Sequence, residues 1–261
     1  MFIDSHAHLG DESLFLRFKD VLENARMAGI DTIVDICTNF QTLERGLLIQ
    51  ASDPPITVVL AAATTPHDVE KEGDAFFIQV EESALKKKLV AIGETGLDYH
   101  YEHSPKEIQK KHMIQYFHLA KKTDLPIIFH CRDAFSDLFA LADIEYKNSA
   151  ALLHCFTGTL EEAKQVLERG WSISFSGIIT FKKSEQLREV VKYVPLDRIF
   201  IETDSPYLAP QTKRGSCNEP SFIVETAKVI ADLKKVPLEQ IAECTSNNVK
   251  NLFLKSMHQE L

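Results

Sequence analysis

Short apolar runs rich in β-branched residues recur along the chain and predict eight strands. The runs hardly alternate between apolar and polar positions, which is typical of strands covered on both faces. They span residues 2–8, 32–37, 56–63, 89–94, 126–131, 150–155, 171–175 and 199–203. The stretches between them are long enough for a crossover helix.

Helical spacing of apolar residues and helix end signals predict helices between these runs. Residues 13–28 carry apolar side chains at helical spacing and end at Gly29. Residues 105–122 follow a capping serine and begin with proline, and residues 159–169 begin with a Thr159-x-x-Glu162 capping box. Two further helical stretches are residues 219–233 and 237–253, and we expect the second to be a helix pair with a break near 245–247.

This alternation predicts a (β/α)8 TIM-type barrel with C-terminal packing helices, formed by one domain over residues 1–261. The alternative is an open, doubly wound sheet. Against that alternative, no GxGxxG motif follows an early strand, and the first strand is followed instead by His6-Ala7-His8-Leu9-Gly10.

Composition and charge narrow the classes of protein. Hydrophobic residues make up 44% and charged residues 26% of the chain, which excludes disordered, collagen-like and coiled-coil classes. The net charge of −9 argues against coating nucleic acid with the whole surface, although a local positive site stays open. No apolar run is long enough to span a bilayer, and the N-terminus lacks a basic start and an apolar signal core. We therefore expect a cytoplasmic protein without membrane association.

Titratable side chains stand at or near the ends of five predicted strands. They are His6 and His8 at the end of the first strand, Glu94 at the end of the fourth, His130 at the end of the fifth, His154 at the end of the sixth and Asp204 just past the eighth. Strand ends of a barrel share one rim, so these residues are expected to meet in space. Burying such groups without partners costs several kcal/mol, on the order of 2–7 even for a neutral polar group. A metal centre removes this cost.

Four histidines and two carboxylates suit two ions better than one. Catalytic ions take about three protein ligands each and keep open positions, so six ligands predict a pair of divalent cations sharing a carboxylate. Mixed nitrogen and oxygen ligation suits zinc, manganese, iron or cobalt better than magnesium. Each residue singly also has a structural interpretation, such as a core histidine or a turn aspartate, and only the joint pattern favours metal.

Basic and aromatic residues near the same rim are candidate substrate contacts. Arg132 follows His130 by two positions, His100 lies just past the fourth strand, and Arg214 lies in the loop after the eighth. Arginine forks suit phosphate oxygens. Candidate stacking platforms for nucleobases are Tyr99, Tyr101 and Tyr207.

The chain resembles the TatD family of metal-dependent hydrolases, within the amidohydrolase-like barrels. The motifs that carry the resemblance are FIDSHAHL at 2–9, GETGLDY at 93–99, HCRDA at 130–134, HCFTG at 154–158, FSGIITF at 175–181, ETDSPYL at 202–208, and RG at 214–215 followed by NEP at 218–220. One departure is Thr65-Pro66-His67, where the family often has His-Pro-His. It puts a substrate contact in doubt rather than the metal site.

The resemblance implies a two-metal site with divided ligands. One ion would be held by His6, His8 and Asp204, the other by His130 and His154, with Glu94 bridging them. It also implies hydrolase activity, often that of a metal-dependent deoxyribonuclease of the 3′-to-5′ exonuclease type. The expected partner is then a single-stranded DNA end or a small phosphoester; the oligomeric state stays open.

The mechanism expected from these residues is attack by a metal-activated hydroxide. Asp204 would orient the hydroxide and take its proton, and Arg132 would offset charge on the phosphoryl oxygens. Two other functions stay open: hydrolysis of a small amide, ester or phosphoester, and a non-catalytic metal-binding barrel.

Overall fold

Eight parallel strands form one sheet in which each strand pairs with the next along the chain. The structure is a computed structural model and describes residues 1–255, so the end of the predicted 1–261 domain lies outside the described residues. The strands are β1 (Phe2–Ala7), β2 (Ile30–Cys37), β3 (Thr57–Ala62), β4 (Ala91–Asp98), β5 (Ile127–Arg132), β6 (Ala151–Leu153), β7 (Ser172–Phe175) and β8 (Ile199–Ile201). An isolated parallel bridge between Ala7 and Ser205 joins the first strand to the segment after the last. The (β/α)8 barrel is thereby confirmed.

Helices connect the strands and cover the outside of the barrel. They are α1 (Glu12–Phe15), α2 (Phe18–Met27), α3 (Phe40–Ala51), α4 (Val69–Leu85), α5 (Lys106–Thr123), α6 (Phe135–Glu145), α7 (Leu160–Glu168), α8 (Glu185–Tyr193), α9 (Ile223–Lys234) and α10 (Leu238–Phe253). The capping box at Thr159 and Glu162 begins α7 as predicted. Within the described residues, no helix is both long and apolar enough to cross a membrane.

Two predicted helices differ from those observed. The stretch 13–28 contains two helices, because Arg17 leaves the helical conformation (φ −129°, ψ 24°) and pairs with Glu219 at 2.9 Å. The predicted break near 245–247 is wrong, since α10 is continuous. Thr245 Oγ1 donates to the Ile241 carbonyl at 2.8 Å, one turn back, so its hydroxyl is satisfied within the helix. Ser246 Oγ donates to the Met1 carbonyl at 3.0 Å.

The apolar core has two parts. The larger cluster packs the strands against the surrounding helices. The smaller cluster takes side chains from strands around the barrel, including Ile3, Ile128 and Phe200, and joins them to Val249 and Phe253 of α10. A cluster to which strands on all sides contribute lies in the barrel interior. The C-terminal helix therefore closes the barrel at one end, and the polar strand ends face the other.

Candidate metal centre

Two buried aspartates fix the segment that carries His6 and His8. Asp4 Oδ1 accepts hydrogen bonds from the backbone N–H of His6 at 3.2 Å and of Thr203 at 3.0 Å, which ties β1 to the segment after β8. Asp35 Oδ1 accepts from the Leu9 N–H at 2.8 Å. Because both aspartates are fully buried, these bonds set the direction of the chain on either side of the two histidines.

The first group of ligand atoms lies where β1 meets the loop after β8. His6 Nε2 and His8 Nε2 are 3.3 Å apart. Asp204 Oδ1 lies 3.7 Å from His6 Nε2 and 3.3 Å from His8 Nε2. Glu94 Oε2 lies 3.3 Å from His6 Nε2 and 3.7 Å from His8 Nε2. Four side chains thus point one atom each at a common centre.

The second group lies beside the first, toward β5 and β6. His130 Nδ1 and His154 Nε2 are 3.4 Å apart. Glu94 Oε1 lies 3.1 Å from His130 Nδ1 and 3.2 Å from His154 Nε2. Glu94 therefore turns one carboxylate oxygen to each group, which is the arrangement of a bridging ligand.

The distances between the ligand atoms fit a transition-metal centre. Bonds of about 2.0–2.1 Å in tetrahedral geometry separate neighbouring ligand atoms by about 3.3–3.4 Å. The observed separations in the two groups run from 3.1 to 3.7 Å. His6, His8 and Asp204 form one candidate ligand set, and Glu94, His130 and His154 form another.

Two of the ring nitrogens that point away from the centres, one on His130 and one on His8, have hydrogen-bond acceptors beside them. His130 Nε2 and Asp98 Oδ2 are 2.9 Å apart, and His8 Nδ1 and the Ile36 carbonyl oxygen are 3.3 Å apart. Acceptors placed behind a histidine in this way fix its tautomer and orient it toward a metal.

The electrostatics of the cluster match a site for cations. Burial raises the pKa of Glu94, but the charge of His154 and the hydrogen bonds from His130 and His154 bring that pKa well below its usual value. Burial lowers the pKa of His8, but the Asp204 and Glu94 carboxylates more than offset this and raise it to about 9. The carboxylates thus stay ionised and attract positive charge, which protons or metal ions can supply in competition.

All six predicted ligands meet at this rim, and the three predicted substrate residues lie further out. Arg132 is half-buried, with its guanidinium carbon 4.8 Å from the centre of the Tyr101 ring. His100 is exposed and its Nδ1 lies 3.0 Å from Asp133 Oδ2. Arg214 is exposed and stacks its guanidinium 4.8 Å from the Phe181 ring. None of the three contacts a ligand atom of the two groups among the described residues.

Sequence reasoning missed the acidic residues that support the histidines. Asp98 stands behind His130, and Glu202 Oε1 lies 3.4 Å from His154 Nδ1. Their positions did carry a signal: Asp98 follows Glu94 by four residues, and Glu202 precedes Asp204 by two. On an extended chain such spacings place side chains on one face. His67 also belongs here, because it forms a third acidic and histidine group with Asp98 and His130.

Comparison with known proteins gives one consistent family. The family model described as "TatD related DNase" matches residues 3–254. The chain is 38% identical to the uncharacterized metal-dependent hydrolase YabD of Bacillus subtilis, over 97% of this chain and 99% of that protein. It is 37% identical to the uncharacterized metal-dependent hydrolase YcfH of Escherichia coli, over 96% of this chain and 95% of that one.

A solved structure agrees with the fold. The crystal structure of YjjV, a TatD homologue from Escherichia coli, superposes with a TM-score of 0.89 at 27% identity and covers 97% of both chains. The family model spans nearly all described residues, and the relatives match over almost their full lengths. The chain therefore belongs to the TatD family, the family of these metal-dependent hydrolases.

Proposed function

We propose that the protein is a divalent-metal-dependent phosphodiesterase, a deoxyribonuclease that removes nucleotides from the 3′ end of DNA. The observation that carries this proposal is the position of Glu94 between two groups of ligand atoms, with one oxygen toward each. A site with this geometry suits the displacement of a leaving oxygen at phosphorus. The family description as a DNase supports the choice of substrate.

The proposed ligand sets follow the two groups. His6, His8 and Asp204 would hold one ion, His130 and His154 would hold the other, and Glu94 would contribute to both sites. When bound, two divalent ions polarise a phosphoryl oxygen and lower the pKa of water. The donor set of four imidazoles and two carboxylates favours zinc, manganese, iron or cobalt over magnesium.

Asp204 is the proposed general base. Its contacts with His6 and His8 are made by Oδ1, which leaves Oδ2 to accept the proton of the attacking water. Burial raises the pKa of Asp204, but the hydrogen bond from His8 and the charges of His6 and His154 bring it below its usual value. The carboxylate is therefore ionised before the reaction and ready to take the proton.

Aromatic residues on two sides of the centre are the proposed contacts for bases. Tyr101 has 53% of its surface exposed and lies beside Arg132, which pairs a stacking ring with a phosphate-binding cation. Tyr207, also 53% exposed, lies 5.7 Å from the His8 ring. Tyr99 is a weaker candidate than the sequence indicated, because its hydroxyl donates to Asp137 and Lys106 covers its ring.

The local charge makes this compatible with an acidic protein. Two divalent cations would bring +4 against −2 from the ligand carboxylates Glu94 and Asp204, with Asp98 and Glu202 as further acidic groups behind them, whereas the whole chain carries −9. A strand end can then bind at the rim through a few contacts, with His100 and Arg214 as further proposed ones. Long-range attraction of duplex DNA is not required.

A second candidate is hydrolysis of a small amide, ester or phosphoester. The acidic net charge of −9 favours it over a nuclease with an extended DNA track, and the same centre would serve carbonyl chemistry. A metal-binding barrel without turnover is the third possibility, and any turnover in the assay below excludes it.

The test combines metal analysis with a substrate screen. Purified protein is analysed for bound metals and then assayed on single-stranded DNA, RNA, a generic phosphodiester and a generic ester. We expect cleavage of DNA from its 3′ end, and loss of turnover in His154→Ala and Asp204→Ala with circular dichroism unchanged. The matched control is His118→Ala, an exposed histidine paired with Glu145, which keeps full turnover. Normal turnover by either site variant contradicts the assigned roles.

A further inference from the structure

Three buried polar atoms near the metal centre have no hydrogen-bond partner in the described part of the chain. They are His6 Nδ1, His154 Nδ1 and Glu202 Oε1. The three side chains also form one compact group, in which a nitrogen of each ring and a carboxylate oxygen lie within 4.8 Å of one another. The two imidazoles stack, with ring centres 3.9 Å apart and planes 7° from parallel. The unpaired atoms, two ring nitrogens and a carboxylate oxygen, thus belong to three side chains that lie together.

Glu202 is held firmly at this spot. It follows β8 directly and has no exposed surface. Ser174 Oγ of β7 donates to its Oε2 at 2.5 Å, which leaves Oε1 directed at the histidines. Oε1 lies 3.4 Å from His154 Nδ1, slightly beyond good hydrogen-bond geometry.

Metal ligation determines which atom of each ring carries a proton. Both His6 and His154 direct Nε2 at the candidate ligand groups. A neutral imidazole that binds metal through Nε2 carries its proton on Nδ1. Each Nδ1–H is then a buried donor, and leaving it without an acceptor is unfavourable because the group has lost its hydrogen bonds to water. Glu202 Oε1 lies 3.4 Å from His154 Nδ1, and a Glu202 carboxylate oxygen lies within 4.8 Å of a His6 ring nitrogen, so Glu202 is a buried acceptor beside both rings.

The two histidines belong to different ligand groups. His6 stands with His8 and Asp204, whereas His154 stands with His130 and Glu94. We infer that Glu202 is a positioning residue shared by both metal sites, accepting the Nδ1–H of His6 and of His154 with one carboxylate oxygen. This inference rests on the proposed two-ion site. It predicts that the affinities of the two ions depend together on a residue that binds neither.

The same three atoms could be taken for a third metal site. That alternative conflicts with ligation of the first two ions, because an imidazole bound through Nε2 has no lone pair left on Nδ1 unless it becomes an imidazolate. The two interpretations differ in stoichiometry: a shared acceptor gives two ions per chain, and a third site gives three.

The test measures both ion affinities in three proteins. Wild type, Glu202→Gln and Asp98→Asn are titrated with Co²⁺ in the presence of a competing chelator, and binding is followed by visible absorption. Asp98→Asn is the matched control, since Asp98 stands behind His130 alone among the ligands of the two groups. We expect Glu202→Gln to lower the affinity for both ions about 10- to 100-fold, and Asp98→Asn to lower the affinity for one ion only.

The results separate failure of this inference from failure of the proposed function. If wild type binds two ions and Glu202→Gln lowers the affinity for only one of them or for neither, Glu202 is not a shared acceptor. Three ions in wild type also overturn the inference. If wild type binds fewer than two ions, the two-ion proposal itself fails.

A measurement on wild type covers the case in which Glu202→Gln does not fold. Long-range ¹H–¹⁵N spectra of the zinc-loaded, ¹⁵N-histidine-labelled protein report the tautomer of each imidazole. We expect His6 and His154 to carry protons on Nδ1 that are protected from exchange with water. A proton on Nε2 of either ring, or rapid exchange of either Nδ1 proton, overturns the inference.

Discussion

Four buried carboxylates outside the proposed ligand set act on the metal centre through other groups. Asp4 and Asp35 bind backbone N–H groups beside His6 and His8, and Asp98 and Glu202 stand behind His130 and His154. All four have at most 1% of their surface exposed. Buried polar networks of this kind rigidify a site only when their members are satisfied. The protonation states of these residues therefore bear on stability as well as on ligand geometry.

The buried carboxyl group of Asp35 should make the stability of the protein depend on pH. Burial raises its pKa from 3.8 to about 7, only partly offset by the Leu9 N–H and the charge of His8. Between about pH 4 and 7 the unfolded chain loses this proton and the folded chain keeps it, so stability falls as pH rises. By pH 7 the free energy of unfolding is lower than at pH 4 by on the order of 4 kcal/mol from this group.

Asp35→Asn mimics the protonated acid and removes this dependence. In urea denaturation of metal-free protein, we expect the variant to gain stability relative to wild type as the pH rises from about 4 to 7. Parallel pH curves for the two proteins would show that Asp35 does not titrate in this range.

The convergence of the six proposed ligands at one rim was predictable from sequence, whereas the supporting roles of Asp4 and Asp35 were not, for a physical reason. His130 and His154 come at the ends of apolar runs, so each lies at the end of a strand and reaches the shared rim of the barrel. Asp4 and Asp35 lie inside such runs. Whether a side chain there meets a neighbouring N–H depends on pairing with other strands, which local sequence does not determine.

At the scale of elements, local sequence signals predict where a helix begins better than they predict whether a helix continues without a break. The capping box at Thr159 and Glu162 marks the start of α7 because both of its hydrogen bonds are local. The continuity of α10 depends on Thr245 bonding within the helix and Ser246 bonding to Met1, at the other end of the chain. The end of β4 shifted likewise: it was expected at Glu94, but pairing with β5 extends it to Asp98.

The capping box predicts a measurable loss of stability. Thr159 Oγ1 accepts from the Glu162 N–H at 3.3 Å, and Glu162 Oε2 accepts from the Thr159 N–H at 2.6 Å. Thr159→Ala removes the first bond and is expected to lower the free energy of unfolding by about 1 kcal/mol. Thr159→Ser keeps the hydroxyl and should stay within a few tenths of wild type. Equal losses in both variants would mean that the cap is not the cause.

At the scale of the molecule, the candidate metal centre lies at one end of the barrel and the helix that closes the barrel lies at the other. The ligand groups lie at the carboxyl ends of the strands, and Val249 and Phe253 of α10 fill the interior toward the opposite end. The acidic chain as a whole repels DNA, so the DNA binding proposed above depends on contacts at the rim. The number of phosphates contacted is then small, and the salt dependence of binding measures it.

Arg132, as a proposed phosphate contact, is expected to account for part of that salt dependence. On the Asp204→Ala background, which prevents cleavage, Arg132→Ala should weaken single-stranded DNA binding and reduce the slope of log K against log salt by about 0.7. Arg26→Ala is the control, because Arg26 pairs with Glu23 on α2 and lies near Met1 and Ile30, at the opposite end of the barrel. Fluorescence anisotropy across a salt series measures both. Equal slopes for the two variants would remove Arg132 from the phosphate contacts.

Anomalous diffraction from crystals of the metal-loaded protein tests the central claim most directly. Two peaks are expected at this rim, one among His6, His8 and Asp204 and the other between His130 and His154, with Glu94 contacting both. A single peak, or peaks away from these six side chains, would contradict the two-ion centre.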